Sequence, residues 1–144
     1  PKQISEFINL NLNSHIIITR LLLPYFKTNN NGFLIYIGSE ASYKVGKYGS
    51  IYSACKFGLR GFVKSIRIET SLNNIRVTQI NPGIVKTPFY NNLKISPGIE
   101  HDEFIEPNDI SDVIIDVLKI RKGTVIDEIN LTSQKQIITF KRKK

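Results

Sequence analysis

Apolar residues along the chain alternate between long stretches with helical spacing and short uninterrupted runs. The helical spacing predicts helices over residues 5–26, over residues 51–72, and from Pro107 to a stop at Arg121-Lys122-Gly123. One uninterrupted apolar run predicts a buried strand over residues 33–37, and two further short strands are predicted over residues 75–80 and 124–131. Because helices of this length alternate with short buried strands, the pattern predicts parallel crossovers in an α/β sheet.

Segments rich in glycine, serine, proline and asparagine separate these elements. A loop over residues 38–50 links the first strand to the second helix, and a segment without clean periodicity, 83–106, follows the second strand. The length of that segment is more typical of a lid than of a plain connection. The chain then ends in a polar-to-basic stretch with one apolar patch. We therefore expect part of a single α/β domain over residues 1–131 and a basic tail over residues 132–144.

Composition narrows the class of protein. The chain has 144 residues, no Met and a single Cys. A lone cysteine forms no internal disulfide and supplies no zinc ribbon, so we expect no metal, and a reducing, cytoplasmic setting fits best. Three strands are few, since typical sheets have about five or six. Either an initiator Met has been trimmed or the chain is the downstream part of a longer protein, and the strand count favours the second interpretation.

The net charge of +8 is unevenly placed. Five of the twenty basic residues lie in 135–144, which leaves fifteen against twelve acidic residues in 1–134. A basic terminus of this kind is typical of a solvated tail, so we expect no nucleic-acid partner. The longest nearly apolar stretch, 16–26, is interrupted by Thr19, Arg20 and Pro24 and is far short of the roughly 20 apolar residues that span a bilayer. The sequence therefore predicts no membrane span.

Candidate chemistry lies just after the first two strands, since ligands bind at the carboxyl ends of parallel strands. Ser39 follows the first strand, and Pro82-Gly83 follows the second. Tyr52 and Lys56 are four residues apart on the predicted helix and therefore share one face. A cation beside a tyrosine favours the phenolate, so we expect the lysine to lower the tyrosine pKa and to make it a general acid and base.

These residues occur together in an informative order. Ser39 lies thirteen residues before Tyr52, the motif Tyr-Ser-Ala-Cys-Lys runs from Tyr52 to Lys56, and Asn-Pro-Gly-Ile-Val-Lys-Thr-Pro starts at Asn81. In this order and spacing the sequence resembles the short-chain dehydrogenase/reductase family. Asn11 is the best match to the asparagine of that family's fourth helix, although Ser14 stands where the family has Gly. Tyr43 and Lys47 form a second pair at the same spacing, which we interpret as a chance match in the loop.

The resemblance covers residues 6–131, the second half of the family's fold. It implies a Rossmann-like, doubly wound parallel sheet that is incomplete, with about three strands and flanking helices. The glycine-rich turn Thr-Gly-x-x-x-Gly-x-Gly and the Asn-Asn-Ala-Gly segment of the family's first half do not occur in these 144 residues. Those elements hold the adenosine and pyrophosphate of the cofactor.

The resemblance also implies roles for the site residues. Tyr52 exchanges a proton with the substrate oxygen, Lys56 lowers the Tyr52 pKa and binds the nicotinamide ribose, and Ser39 positions the carbonyl oxygen. Asn11 anchors a water that links Lys56 to solvent. The cofactor, NAD or NADP, is held by Tyr52, Lys56, Pro82, Gly83, Ile84, Val85 and Thr87, with residues 88–105 as the substrate lid.

The implied function is hydride transfer between nicotinamide and a small carbonyl or alcohol substrate. The implied assembly is a homodimer or homotetramer formed through the helices over 5–26 and 51–72. One alternative is a truncated remnant of the family that binds no cofactor and is catalytically inactive. A second is a small basic nucleic-acid-binding protein, which predicts a salt-sensitive affinity that depends on residues 135–144.

Overall fold

The structure is a computed structural model of the chain, and it describes residues 1–47 and 49–141. The four α-helices in this part of the chain are α1 (Lys2–Ile8), α2 (Ser14–Thr28), α3 (Ser50–Glu69) and α4 (Pro107–Lys119). The five strands are β1 (Gly32–Ile37), β2 (Ile75–Pro82), β3 (Ile95–Pro97), β4 (Glu128–Leu131) and β5 (Ile138–Phe140). Short 3₁₀ turns follow β1, α3 and β2 and precede α4.

The main sheet has the strand order β1-β2-β4, and both pairings are parallel. The register runs from Gly32 opposite Ile75 to Ile37 opposite Ile80 on one side of β2. On the other side it ends with Pro82 opposite Leu131. The predicted parallel α/β sheet is therefore confirmed. β4 is shorter than predicted because hydrogen bonding to β2 begins only where the Gln79 amide donates to the carbonyl of Asp127 at 3.0 Å.

The core forms where α3 packs on β1 and β2. Leu59, Val63 and Ile66 lie on one helical face, as their spacing predicts, and all three are buried. They meet Val77 of β2 and Tyr36 of β1 in one apolar cluster. This packing fixes the position of α3 over the carboxyl ends of the strands. The helix ends at Glu69, three residues before the predicted end, and a 3₁₀ turn, Ser71–Asn73, follows it and ends at Asn74, which is left-handed (φ 51°).

The first predicted helix is interrupted. A π-helical turn, Asn9–Asn13, separates α1 from α2. Side chains in and next to this turn bond to main-chain carbonyls four residues earlier: Asn11 to Phe7 at 3.0 Å, and Ser14 to Leu10 at 2.7 Å. Such bonds compete with the regular helix ladder, and π-turns often occur at functional sites. α2 then continues past Pro24 and ends at Thr28, so the proline does mark the approach of the helix terminus.

The segment after β4 is more structured than its sequence indicates. Its apolar patch forms β5, which pairs antiparallel with β3 inside the predicted lid. The Lys135 amide also donates to the carbonyl of Asp102 at 2.7 Å, and the two side chains form an ion pair at 2.8 Å. We call residues 132–141 the C-terminal clasp because they fasten the lid. The remaining basic residues of the predicted tail, 142–144, lie outside the described residues.

None of the helices in residues 1–47 and 49–141 is both long enough and apolar enough to span a bilayer.

Candidate active site

The loop after β1 carries Ser39 to the carboxyl end of the sheet. The Gly38 amide donates to the carbonyl of Ile80 at 2.7 Å, which extends the β1–β2 pairing by one bond. A Cβ at Gly38 would clash with the side-chain amides of Asn81 and Gln79, so this approach requires glycine. Ser39 then takes an extended conformation, and its hydroxyl accepts a hydrogen bond from the Ala41 amide at 3.2 Å. The result is a fixed serine at the strand end.

Tyr52 and Lys56 lie in the first turns of α3 and meet Ser39 there. The half-buried Tyr52 side chain hydrogen-bonds to that of Ser39. The Lys56 ammonium lies 5.5 Å from the centroid of the Tyr52 ring, and only 7% of Lys56 is exposed. The ring of Phe7 contacts the Tyr52 ring edge-on, with centroids 6.3 Å apart. The structure thus brings together three of the predicted catalytic residues.

The electrostatics of this pair differ from the sequence expectation. Burial raises the pKa of Tyr52, the charge of Glu40 raises it further, and the hydrogen bond with Ser39 only partly opposes them. Burial also lowers the pKa of Lys56. The predicted lowering of the Tyr52 pKa is therefore not seen, because burial dominates and Lys56 is not among the groups that shift this pKa. In this structure Tyr52 is a protonated phenol at neutral pH.

The segment that starts at Pro82 follows from the carboxyl end of β2, beside Ser39. The Gly83 amide donates to the carbonyl of Leu131 at 2.8 Å, which continues the β2–β4 pairing. The Ile105 amide donates to the carbonyl of Ile84, and the Lys86 amide donates to the carbonyl of Ile105. These two bonds flank a parallel bridge between Val85 and Ile105. The predicted cofactor residues Pro82, Gly83, Ile84, Val85 and Thr87 therefore share one ordered segment at the same sheet edge as Ser39.

Asn11 is connected to Tyr52 through Phe7. Its half-buried side chain lies in the π-turn, and its amide donates to the carbonyl of Phe7, the residue whose ring contacts Tyr52. His15, one turn further along, has its pKa lowered by burial and by the charge of Lys56. The π-turn thus lies beside the Tyr52 and Lys56 pair. In the part of the chain that the structure describes, Asn11 forms no hydrogen bond with Lys56. The proton relay through Asn11 therefore stays a prediction.

Two residues near Tyr52 were not predicted from the sequence. Glu40 follows Ser39 directly, and one of its carboxylate oxygens lies 3.6 Å from the position that a Cβ on Gly83 would take. Burial, with smaller contributions from the charges of Tyr52 and Glu40, raises the pKa of Tyr90 to about 12. Because Glu40 directly follows Ser39, the sequence could have indicated it as a residue near the site. Tyr90 lies in the aperiodic segment, where no pattern marks it.

A buried network of hydrogen bonds centred on Asn81 supports the site. The Oδ1 atom of Asn81 accepts hydrogen bonds from Ser42 at 2.9 Å and from Gln79 at 2.7 Å. Its Nδ2 donates to Glu128 at 2.7 Å and to Asn130 at 3.0 Å. The network therefore ties the Ser39 loop to β2 and β4.

A cavity of about 300 Å³ opens next to the site. Its walls are the loop that begins at Glu40, the Gly83-Ile84 turn and the C-terminal clasp. Ser39, Tyr52 and Lys56 are not among its lining residues, but it adjoins Ser39 through Glu40. A cavity of this size at the carboxyl edge of a parallel sheet suits a small ligand.

Comparisons with known proteins define the class to which this fold and site belong. The family model described as short chain dehydrogenase matches residues 1–97. The chain belongs to the short-chain dehydrogenase family.

Individual relatives support the same family. A sepiapterin reductase from Chlorobaculum tepidum is 30% identical over 128 residues, covering 86% of this chain and 50% of the relative. An NADP-dependent 3-hydroxy acid dehydrogenase from Schizosaccharomyces pombe is 31% identical over 125 residues, covering 83% and 48%. An alcohol dehydrogenase from Thermococcus sibiricus, solved with 5-hydroxy-NADP, has a TM-score of 0.81 at 25% identity, covering 95% and 56%. The chain thus spans about half the length of these relatives.

Proposed function

We propose that this chain forms the catalytic half of an NAD(P)-dependent oxidoreductase that interconverts a carbonyl and an alcohol. The observation that carries the proposal is the meeting of Ser39, Tyr52 and Lys56 at the carboxyl end of the sheet. Tyr52 hydrogen-bonds to Ser39, and the Lys56 ammonium lies 5.5 Å from the Tyr52 ring centroid. A substrate oxygen that replaces the hydrogen bond between these two hydroxyl groups can accept a proton from each of them.

The residues act on the oxygen of the substrate. Ser39 donates a hydrogen bond that holds the carbonyl oxygen in place. Tyr52 donates its proton to that oxygen during reduction and takes the proton back from the hydroxyl during oxidation. The raised pKa of Tyr52 keeps the proton on the phenol at neutral pH, which supports the donor role.

The residues at the sheet edge fit the nicotinamide end of a dinucleotide. Lys56 is buried, and no carboxylate pairs with its ammonium within residues 1–47 and 49–141, so its donors suit sugar hydroxyls. The nicotinamide end would also be lined by the end of β2 and the segment after it, at Pro82, Gly83, Ile84, Val85 and Thr87. The nicotinamide supplies hydride in reduction and accepts it in oxidation. The neighbours solved with NADP derivatives, at 25% and 26% identity, support this class of cofactor.

Other parts of the chain complete the proposal. Asn11 would hold a water near Lys56, and residues 88–105 would close over the substrate.

A reducing compartment such as the cytoplasm suits the buried free thiol of Cys55.

The exposed apolar face of α2 supports assembly into a homodimer or homotetramer through this helix and α3. Its Ile17, Ile18, Leu21 and Tyr25 side chains are between 56% and 74% exposed. Sedimentation of the chain tests the assembly. A monodisperse monomer at micromolar concentration would contradict it.

The test of the catalytic proposal is titration with NADH and NADPH, followed by turnover measurements with a panel of small carbonyl compounds. We expect saturable binding and turnover in the unmodified chain. Tyr52→Phe should lower turnover by at least about a hundredfold and leave the dissociation constant of the cofactor nearly unchanged. Ser71→Ala, which removes an exposed hydroxyl just after α3, is the control. Full turnover in the Tyr52→Phe variant would overturn the role of Tyr52.

An inactive remnant is the second candidate, and the observation that favours it is that the chain spans about half the length of its relatives. That candidate predicts no saturable binding of either dinucleotide. Saturable binding in the titration would therefore exclude the remnant before any turnover is measured.

A further inference from the structure

The side chain of Asn81 contacts the loop that carries Ser39 on both sides of the serine. Before it, Gly38 lies so close to Oδ1 of Asn81 that a Cβ would clash there. After it, the Ser42 hydroxyl lies 2.9 Å from the same Oδ1 and 2.6 Å from the carbonyl oxygen of Ser39. A hydroxyl group has a single proton, so this contact couples the Asn81 amide directly to the main chain of Ser39.

The orientation of the Asn81 amide is set by Glu128. A carboxylate only accepts hydrogen bonds, so the amide nitrogen of Asn81 must face it, and the two groups are 2.7 Å apart. The amide oxygen then faces Ser42 and Gln79, which both donate to it. A reversed amide would bring its oxygen against the carboxylate and leave both donors without an acceptor. Glu128 thus makes Asn81 an acceptor toward the serine loop.

The same carboxylate connects Asn81 with α3, the helix that carries Tyr52. Arg60 lies two turns after Tyr52, and its guanidinium donates to Glu128 at 3.0 Å. Only 17% of the Glu128 side chain is exposed, so solvent ions screen this pair weakly. The serine loop and α3 therefore share one support, and Asn81 is its centre.

Stability alone does not account for this network. Within residues 1–47 and 49–141, the Oε1 atom of Gln79 is buried without a hydrogen-bond partner. A buried acceptor without a partner destabilises the folded state, and an apolar side chain would not carry this penalty. Gln79 nevertheless donates from its Nε2 atom to Asn81 at 2.7 Å. A network that holds one amide in place at some loss of stability is typical of a functional site.

From these contacts we propose that Asn81 is a positioning residue that holds the Ser39 hydroxyl in place for the reacting oxygen of the substrate. The inference rests on the proposed function, because Ser39 and Tyr52 must act on that oxygen. Asn81 does not touch the substrate in this role. It acts through Ser42 and the main chain of Ser39, and its link to α3 fixes that loop relative to Tyr52.

Ser42→Ala tests the proposal because it breaks the link and leaves the catalytic side chains unchanged. With the carbonyl compound that the unmodified chain reduces fastest, we expect kcat to fall at least about tenfold. KM and the dissociation constant of NADPH should stay within about twofold. Thr70→Val is the matched control, because Thr70 donates a buried 2.7 Å hydrogen bond to the carbonyl of Ile66, away from the site. Its kcat should stay within about twofold of the unmodified value.

Glu128→Gln is a second variant that leaves the serine loop unaltered. A glutamine amide both donates and accepts, so it no longer holds the Asn81 amide in one orientation. The Ala41 amide, which donates to Oγ of Ser39 at 3.2 Å, should then exchange its proton at least about threefold faster. Asp127→Asn removes the neighbouring carboxylate, which forms an exposed ion pair, and should leave this exchange unchanged.

Several outcomes would overturn the role of Asn81. These are full turnover in Ser42→Ala, a loss carried by KM alone, an equal loss of kcat in Thr70→Val, and unchanged exchange at Ala41 in Glu128→Gln. The exchange measurement does not depend on turnover. An unmodified chain without turnover would refute the oxidoreductase proposal, whereas exchange at Ala41 would still decide whether Asn81 holds the Ser39 hydroxyl.

Discussion

The hydroxyl of Ser42 donates a 2.9 Å hydrogen bond to Oδ1 of Asn81, and both side chains are fully buried. This bond joins the loop that carries Ser39 to the carboxyl end of β2. Asn81 meets β4 through the carboxylate of Glu128, which Arg60 of α3 also binds at 3.0 Å. The polar network therefore connects the Ser39 loop with β2, β4 and α3.

We expect Ser42→Ala to lower the free energy of unfolding by about 1–3 kcal/mol, because a buried hydrogen bond is lost without a substitute. Urea unfolding followed by circular dichroism measures the change. Ser71→Ala is the control, since its hydroxyl bonds the carbonyl of Ile68 on an exposed surface, and its effect should stay within about 0.5 kcal/mol. Equal effects in the two variants would show that the buried bond does not hold the loop.

The core of the domain should be most sensitive at Leu59, whose side chain is fully buried between α3 and the sheet. Leu59→Ala leaves a cavity there, so we expect a loss of about 2–5 kcal/mol in the free energy of unfolding. Leu72→Ala is the matched control because Leu72 is 94% exposed. A loss below 1 kcal/mol for Leu59→Ala, by the same urea measurement, would contradict the packing described above.

The stability of the fold should fall in alkaline solution because of Tyr90. Its folded pKa of about 12 exceeds the ordinary value of 10, so the unfolded chain loses this proton first as the pH rises. The contribution of Tyr90 is complete below pH 10 and is lost as the pH approaches about 12. Tyr90→Phe should flatten this decline in an unfolding series over that pH range. An equally steep decline in the variant would assign the effect to other groups.

The C-terminal clasp should control the opening of the lid. The Lys141 ammonium donates to the carbonyls of Tyr90 and Asn91, and its amide donates to that of Lys94 at 2.9 Å. Lys141→Met keeps the main-chain bond but removes the side-chain bonds. We expect faster hydrogen exchange at lid amides such as Leu93, with exchange in β2 unchanged.

Lys119→Met is the control for the clasp, since its partner Asp116 lies on the exposed surface of α4. Unchanged exchange in the lid of Lys141→Met would show that the β3–β5 pairing and the contacts of Lys135 with Asp102 fasten it without the Lys141 side chain.

The periodic elements could be predicted from the sequence because their patterns reflect the core directly. Leu59, Val63 and Ile66 have the spacing of one helical face, and that face is the buried one. The strand before Ser39 is a short apolar run, and it pairs in parallel with the strand before Gly83 as expected. The order of Ser39, Tyr52 and Lys56 then indicated the site, since a parallel sheet brings its strand ends to one edge.

Other features depend on distances in space that no local pattern encodes. β5 has only three residues and pairs with a segment more than forty residues away, so the sequence indicated a tail. The π-turn around Asn11 results from side chains competing for main-chain carbonyls. The pKa of Tyr52 was predicted in the wrong direction because the sequence shows the neighbouring lysine and not the extent of burial.

The space around Gly38 has a consequence for how this site can change over generations. Any side chain at residue 38 would displace the amides of Asn81 and Gln79, and with them the hydrogen bonds that support the loop. Two residues later, Glu40 lines an open cavity and has no such constraint. The chemistry of the cavity rim can therefore change by substitution while the support beneath Ser39 stays constant.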